Sequence, residues 1–268
     1  MAERETGRVL QANDVSVEIN NKTILENIKF EVPAGKITAL IGPNGSGKST
    51  LLRAISSEIS YQGEILINEQ DINSMKAWEL AAIRAVLTQS SSVAFPFTVA
   101  EVIHIGLRNG TNSSTLDLIN EALGCVGLLS LAERQYSQLS GGEQQRVQLA
   151  RVLAQVWTPV INSSPNWIFL DEPVSSLDIS HQLEVMNLMQ NYANKGGGVF
   201  TIMHDLNLTA MYADFVGLLH NGKLLCFGDP SEVMNDKILS EAYNCRIKVN
   251  VTPQNDKFFI LPQATKIK

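Results

Sequence analysis

The feature that most constrains this chain is a nine-residue loop between an apolar run at residues 37–41 and a predicted helix at residues 51–55. The loop consists of Gly42, Pro43, Asn44, Gly45, Ser46, Gly47, Lys48, Ser49 and Thr50. Its spacing, G-x-x-x-x-G-K-S, in this context predicts a strand, a glycine-rich loop and a helix in succession.

The chemistry of this loop favours phosphate binding. Glycines let successive backbone N–H groups turn inward, and the following helix adds the positive end of its dipole. Lys48 would supply a full positive charge to the β- and γ-phosphates, and Ser49 a hydroxyl to Mg²⁺. The alternative, a glycine-rich turn with a surface lysine, fits the flanking strand and helix less well. The loop therefore predicts binding of a nucleoside triphosphate, and nothing narrower.

Length and composition limit the remaining possibilities. A chain of 268 residues can form one large domain, or one domain with an inserted lobe, around a substantial core. The formal net charge of -6 argues against a general nucleic-acid binder, which would carry a basic surface. The three cysteines, Cys125, Cys226 and Cys245, are far apart and odd in number, which indicates reduced thiols.

Membrane association is expected only through a partner. Residues 1–5 lack the apolar core of a signal peptide. No stretch approaches the roughly 18 consecutive apolar residues that a spanning helix needs.

The first third of the chain is predicted to contain mostly strands. Apolar residues alternate with polar ones within residues 9–32, and Asn20-Asn21 marks a turn between strands. Residues 63–68 form another predicted strand, residues 74–83 a short helix, and residues 84–89 a buried strand that ends in Gln89.

A largely helical segment is predicted to follow, from residue 99 to about residue 156. Thr98 and Glu101 form a capping box for its first helix, and residues 109–112 carry loop signals. This segment interrupts an otherwise alternating α/β pattern, so we interpret it as an insertion within one nucleotide-binding unit.

The last third returns to buried strands. Residues 167–170 are apolar and lead into Asp171 and Glu172, and residues 199–203 lead into His204. A hairpin is predicted across Asn221-Gly222, and then a helix beginning at Pro230. Two short strands are predicted near residues 248–251 and 258–261.

Asp171 and Glu172 have the chemistry of a phosphoryl-transfer site. An aspartate at a strand end can hold Mg²⁺, and the adjacent glutamate can act as general base on water. Two acids at a strand end are also common as solvated turn residues. The phosphate loop upstream favours the catalytic interpretation.

A second glycine motif opens the predicted helix that ends near Val156. Its residues are Ser140, Gly141, Gly142, Glu143 and Gln144. Ser140 and Glu143 form a capping box, which alone would explain a helix start. The two glycines in addition expose backbone N–H groups, so we interpret the segment as a second anion-binding element.

These motifs, in this order and with Leu170-Asp171-Glu172-Pro173 and His204, resemble ABC transporter ATPase subunits over nearly the whole chain. The resemblance implies an α/β fold: a phosphate-loop, RecA-like ATPase core with a mostly parallel sheet and an N-terminal antiparallel β subdomain. It also implies one ABC ATPase domain over residues 1–268, with a helical subdomain inserted at about 90–156 and a C-terminal extension at about 240–268.

The resemblance further implies roles for single residues. ATP would lie on the phosphate loop of one subunit and be closed in trans by residues 140–144 of a second copy, in a head-to-tail dimer. The implied catalytic residues are Glu172, His204 and Gln89. The implied Mg²⁺-binding residues are Ser49, Gln89 and Asp171. The residues that would couple the two sites are Ser175, Leu177 and Asp178.

One position departs from the family pattern in a way that bears on nucleotide binding. The family commonly has an adenine-stacking aromatic near Ile19, where this chain offers only apolar contact.

Several stretches resemble the iron-chelate and haem importer branch of the family, and most of all bacterial haem import ATPases. They are residues 84–89, 95–103, 144–157 and 204–208, with an extended loop at 158–166. The resemblance implies two transmembrane permease subunits, a periplasmic substrate-binding protein, and a peripheral position at the cytoplasmic face of the bacterial inner membrane. Ferric siderophores and vitamin B12 are alternative cargoes.

Two other classes remain as alternatives. A soluble ABC ATPase acting on DNA or ribosomes would carry a coiled-coil insertion or a second ATPase unit, and neither is present. A nucleotide-binding regulator without turnover would not need Glu172 as a base. The aromatics Phe95 and Phe97 could contact the permease or belong to the local core.

Overall fold

The computed structural model describes residues 9–89, 95–107, 115–252 and 258–265. The strands are β1 (Val9–Ile19), β2 (Lys22–Pro33), β3 (Ile37–Ile41), β4 (Gln62–Ile67), β5 (Gln70–Asp71), β6 (Arg84–Leu87), β7 (Val160–Ile161), β8 (Ser164–Pro165), β9 (Trp167–Asp171), β10 (Gly198–Ile202), β11 (Phe215–His220) and β12 (Lys223–Gly228). The α-helices are α1 (Lys48–Ile55), α2 (Ala77–Ile83), α3 (Val99–Leu107), α4 (Thr115–Cys125), α5 (Gly141–Gln155), α6 (Ile179–Asn194), α7 (Leu206–Tyr212), α8 (Pro230–Val233) and α9 (Asp236–Tyr243).

The predicted N-terminal strands form an antiparallel sheet with the order β2-β1-β4-β5. Asn20 and Asn21 both have positive φ, 50° and 59°, as the tight turn between β1 and β2 requires. Apolar side chains of this sheet point to one side, where Leu10, Ile28 and Ile65 are fully buried. The predicted turn and its flanking strands are confirmed.

The central sheet has six strands in the order β12-β11-β3-β10-β9-β6. Its neighbours pair in parallel, except for the β11–β12 hairpin at one edge. All residues of β3, β9 and β10 are buried, because layers cover both faces of the sheet. This architecture confirms the predicted α/β class.

Alternate residues of one strand enter two different cores. On β9, Ile168 and Leu170 pack into the cluster built with α3 to α7, whereas Trp167 and Phe169 pack into the cluster shared with the antiparallel sheet and α1. Phe30 of β2 stacks on Phe200 of β10 with ring centroids 5.6 Å apart, which joins the two sheets.

Helices α3, α4 and α5 occupy the segment between β6 and β7, and they pack against one another. The Thr98–Glu101 capping box is confirmed: the backbone N–H of Thr98 donates to Glu101 Oε2 over 2.7 Å, and the N–H of Glu101 donates to Thr98 Oγ1 over 3.3 Å. The loop predicted at 109–112 lies outside the described residues. Phe95 is exposed, whereas Phe97 is partly buried against the core.

Two predictions about local structure are wrong. Residues 158–166 do not form one extended loop, because Asn162 and Ser163 take positive φ and close a small β7–β8 hairpin. The predicted strands at 248–251 and 258–261 are absent from the described residues. After α9 the backbone N–H groups of Ile247 and Val249 instead donate to the side chains of Ser240 and Asp236 on that helix, so they are not available to pair with a strand.

No helix among the described residues is long and apolar enough to cross a membrane.

Candidate functional site

The glycine-rich loop leaves β3 at the carboxyl edge of the central sheet and enters α1. Gly42 has φ 145°, and a Cβ atom there would lie 2.1 Å from the carbonyl oxygen of Leu219. Gly47 has φ 105°, and its Cβ would meet Leu25 Cδ2 at 2.7 Å. These two positions therefore require glycine, since a side chain would both strain the backbone and collide with its neighbours.

Lys48 is held inside the loop that precedes it. Its Nζ donates to the carbonyl oxygens of Gly42 at 2.8 Å and Pro43 at 3.0 Å. Burial lowers the pKa of Lys48, and the negative charges of Glu172 and Asp171 act in the opposite direction. Among the described residues, the hydrogen-bond acceptors of Lys48 Nζ are thus two neutral carbonyl oxygens of the glycine-rich loop.

Parallel pairing brings two strand ends together at the same edge. In the β9–β10 register, Asp171 lies beside Ile202. The residues that follow these two strands, Glu172 and His204, therefore lie at the same edge of the sheet. Glu172 takes a positive φ of 53°, uncommon for this residue type, and its Oε1 lies 2.5 Å from Nε2 of His204. The two predicted catalytic side chains are therefore in direct contact.

Asp171 is buried, and its Oδ1 atom has no hydrogen-bond partner among the described residues. Burial raises the pKa of Asp171, whereas a hydrogen bond with the Ser49 side chain and the charge of Lys48 lower it. A buried carboxylate oxygen without a partner, beside a hydroxyl, is a donor set that suits a hard divalent cation. The residues present therefore fit Mg²⁺.

A cleft of about 600 Å³ brings together the phosphate loop, Glu172 and His204. Its lining is Ile24, Asn44, Gly45, Gly47, Lys48, Ser49, Thr50, Gln89, Glu172 and His204. Ile24 was not predicted as a site residue, because an apolar residue on a strand carries no signal of a site. Ile19 is half-exposed at the end of β1 and does not line the cleft.

The second glycine motif starts α5 as predicted. Ser140 Oγ accepts from the N–H of Glu143 at 3.4 Å, and the N–H of Ser140 donates to Glu143 Oε2 at 2.8 Å. The bonds from Ser140 lower the pKa of the Glu143 carboxyl. Ser140 and Gly141 are exposed, and none of residues 140–144 lines the cleft. The structure therefore does not bring the two glycine motifs together within one chain.

Part of α5 lies beside the site: Gly141, Gln144, Gln145 and Gln148 line a second cavity that Gln89 and Asp171 also line. Gln145 Nε2 donates to the backbone carbonyl of Glu172 over 3.0 Å, a contact that the sequence analysis missed. The second cavity has a volume of about 150 Å³. Gln89 lines both cavities, so it stands between the cleft and the start of the helical segment.

Residues 175–178 connect Glu172 to α6. Asp178 caps α6 by accepting from the N–H of His181 at 3.0 Å, and this bond lowers the pKa of the Asp178 carboxyl. A Cβ atom on Gly142 would lie 3.4 Å from Leu177, so this segment runs beside the start of α5. Ser175 and Ser176 are exposed.

Comparison with known proteins agrees with this geometry. The family model described as ABC transporter matches residues 25–175. The hemin import ATP-binding protein HmuV of Roseobacter denitrificans is 52% identical over 255 residues, which cover 95% of this chain and 98% of that protein. The protein of the same name from a Jannaschia species is 52% identical and covers 96% of each chain.

Solved structures agree in fold. A nucleotide-free ATP-binding cassette from an ABC transporter superposes with a TM-score of 0.74 at 24% identity, covering 88% of this chain and 97% of that one. An ATP-binding subunit of an ABC transporter gives a TM-score of 0.75 at 22% identity, covering 89% and 94%. The motifs, the site they build and these matches lead to one conclusion: this chain belongs to the ABC transporter family.

Proposed function

We propose that this chain is the ATP-hydrolysing subunit of a bacterial ABC importer that powers haem uptake. The observation that carries the ATPase part is the contact between Glu172 and His204 in the cleft that Lys48 and Ser49 also line. The haem cargo is supported by relatives named for hemin import that are 44–52% identical over almost the whole chain.

Binding begins at the phosphate loop. Lys48 would leave the carbonyl oxygens of Gly42 and Pro43 and donate to phosphate oxygens of ATP, where a full negative charge is the stronger acceptor. Ser49, Asp171 and Gln89 would hold Mg²⁺. When bound, this ion neutralises charge that develops between the β- and γ-phosphates.

Glu172 then acts on water. Its carboxylate takes a proton from a water molecule as the water oxygen bonds to the γ-phosphorus, and the bond to the β-phosphate oxygen breaks to give ADP and phosphate. His204 bonds to Oε1 of Glu172 and so fixes the direction of the carboxylate. Without this contact, the carboxylate of a partly exposed glutamate would rotate among several orientations.

A complete site requires a second copy of the chain. Ser140 and Gly141 are exposed at a helix start, and residues 140–144 lie outside the cleft of their own chain. In a head-to-tail dimer they would close on the ATP that the phosphate loop of the other copy holds, and Ser175, Leu177 and Asp178 would link the two sites.

The dimer would work beneath two transmembrane permease subunits, at the cytoplasmic face of the inner membrane, with a periplasmic binding protein that delivers haem. The helical subdomain at about 90–156 would pass the motion on, through Gln89 at its boundary and the exposed ring of Phe95. No nucleic-acid partner is proposed.

The first experiment tests nucleotide binding. Lys48→Ala removes the one charged side chain of the loop, so ATP binding should be lost. Because Lys48 also bonds to the carbonyl oxygens of Gly42 and Pro43, the unfolding midpoint of the variant is measured first, and binding is compared at a temperature where it is folded. A fluorescent ATP analogue reports the binding. Wild-type affinity in Lys48→Ala would refute the phosphate-loop assignment.

The second experiment tests the cargo. The chain is reconstituted in liposomes with its permease, and uptake of haem, a ferric siderophore and vitamin B12 is compared under ATP. We expect ATP-dependent uptake of haem alone. Uptake of either other cargo in place of haem would refute the cargo and leave the ATPase assignment standing.

A further inference from the structure

The first glycine of the phosphate loop is bonded to a residue near the other end of the chain. The backbone N–H of Gly42 donates to the hydroxyl oxygen of Tyr243 over 3.1 Å, across 201 positions of sequence. The carbonyl of the same Gly42 accepts from Nζ of Lys48 at 2.8 Å. Tyr243 and Lys48 therefore hold the two polar backbone groups of one residue.

The helix that carries Tyr243 is fixed at its start and along its buried face. Asn235 caps the start of α9 by accepting from the N–H of Ile238 at 3.0 Å, and Leu239 and Ala242 are buried along its inner face. After α9 the chain folds back, and Asp236 accepts from Lys248 Nζ over 2.6 Å. The position of the Tyr243 hydroxyl is thus set by the C-terminal part of the fold.

The same segment adds two further bonds. The N–H of Ile247 donates to Ser240 Oγ over 2.9 Å, and the N–H of Val249 donates to Asp236 Oδ1 over 2.8 Å. These bonds brace α9 against its own continuation. Leu239 and Ala242 belong to the larger core cluster, and Ile247 and Val249 pack against it, so the helix is held to the body of the fold.

Gly42 is buried, and the acceptor of its N–H is the Tyr243 hydroxyl. Leu219 packs closely on the same residue, since a Cβ on Gly42 would lie 2.1 Å from its carbonyl oxygen. A buried N–H without an acceptor is costly, so loss of the hydroxyl favours movement of the loop. Burial raises the pKa of Tyr243, so the hydroxyl stays neutral and brings no negative charge near bound phosphates.

We propose that Tyr243 is a positioning residue for the nucleotide: its hydroxyl fixes Gly42, and through the Gly42 carbonyl it sets where Lys48 rests before ATP arrives. This inference rests on the proposed ATPase function and extends the site to α9. Residues near the C-terminus then take part in nucleotide binding without touching the nucleotide.

The test compares Tyr243→Phe with Tyr212→Phe. Both changes remove one hydroxyl and keep the ring, but the Tyr212 hydroxyl donates to Asn187 Oδ1 at 2.9 Å, outside the cleft. Tyr243→Phe should raise KM for ATP by about 3- to 10-fold, the range that one hydrogen bond supports, and leave kcat close to wild type. An ordered loop stabilises bound ATP and the transition state for hydrolysis to the same extent. Loss of that order should therefore raise KM and leave kcat unchanged.

A second readout needs no nucleotide. On protein labelled with ¹⁵N-glycine, hydrogen exchange of the Gly42 amide should accelerate in Tyr243→Phe and stay unchanged in Tyr212→Phe. Support requires both the KM rise and the faster exchange.

Three results overturn the proposal. Equal KM for ATP and equal exchange of the Gly42 amide in Tyr243→Phe and Tyr212→Phe would refute it. In that case, ATP hydrolysis by the wild type would still support the proposed function. A loss of kcat in parallel with a lower unfolding midpoint would show a merely structural role. Absence of ATP binding by wild type would remove the proposed function and this inference with it.

Discussion

Replacing Glu172 by glutamine separates the chemical step from folding and binding. The amide keeps the size of the side chain and can still bond to Nε2 of His204, which lies 2.5 Å from Oε1 in the native site. It cannot accept a proton from water. A positioned general base contributes about 10²- to 10⁴-fold to a rate, which equals about 2.7–5.4 kcal/mol of barrier.

The cost to stability should be much smaller than this. The Glu172 side chain is 16% exposed and that of His204 is 41% exposed, so solvent screens the pair. Pairs of this kind contribute about 0–1 kcal/mol to folding. A fall in rate of 100-fold or more therefore cannot come from a loss of folded protein.

The assay is phosphate release at saturating ATP, with unfolding midpoints and ATP affinity measured in parallel. Glu184→Gln is the matched control, since it makes the same change at an exposed position of α6. We expect kcat to fall by about 10²- to 10⁴-fold in Glu172→Gln with ATP affinity retained. Equal kcat in the two variants, with ATP bound in both, would refute the assignment of Glu172 as the base.

Two further substitutions test the geometry of the site. Gly42→Ala should lower the free energy of unfolding by at least about 1–3 kcal/mol, because φ is 145° and the new Cβ would lie 2.1 Å from the carbonyl oxygen of Leu219. Gly124→Ala, in open space on α4, should instead stabilise by up to about 1 kcal/mol, and equal midpoints in chemical denaturation would contradict this reasoning. Asp171→Asn should abolish Mg²⁺-dependent hydrolysis yet raise the thermal midpoint at pH 7, because burial raises the pKa of Asp171 and the ionised carboxylate therefore costs stability. The gain in thermal midpoint should be full above the raised pKa of Asp171 and should fade as the pH falls from that pKa towards the ordinary value for aspartate. A midpoint below that of wild type at pH 7 would show that the ionised carboxylate stabilises the fold instead.

The parts of the fold that the sequence predicts well depend on local chemistry. Asn221 and Gly222 have positive φ, 48° and 77°, and close the β11–β12 hairpin as their residue types indicate. Thr98 with Glu101 places the start of α3 in the same way. The strand that ends at Asp171 is recognisable because it is buried on both faces, so the four residues before Asp171 form an unbroken apolar run.

The parts that the sequence does not predict depend on distant partners. Residues 248–251 have strand-like composition, yet the Lys248 side chain and the Val249 N–H both donate to Asp236 on α9. These bonds hold the segment against the helix and away from any sheet edge. The bond between Tyr243 and Gly42 joins residues 201 positions apart, and no local pattern marks it. Ile24 enters the cleft only because β2 passes beside the phosphate loop.

The most direct test of the central claim is the mass of the Glu172→Gln chain with and without ATP, measured by size-exclusion chromatography with light scattering. We expect the mass to double only when ATP is present. When Ser140→Arg is added to the same chain, the mass should return to that of one chain, with ATP binding unchanged. An ATP-saturated single chain, or a dimer that survives Ser140→Arg, would contradict a site shared between two copies.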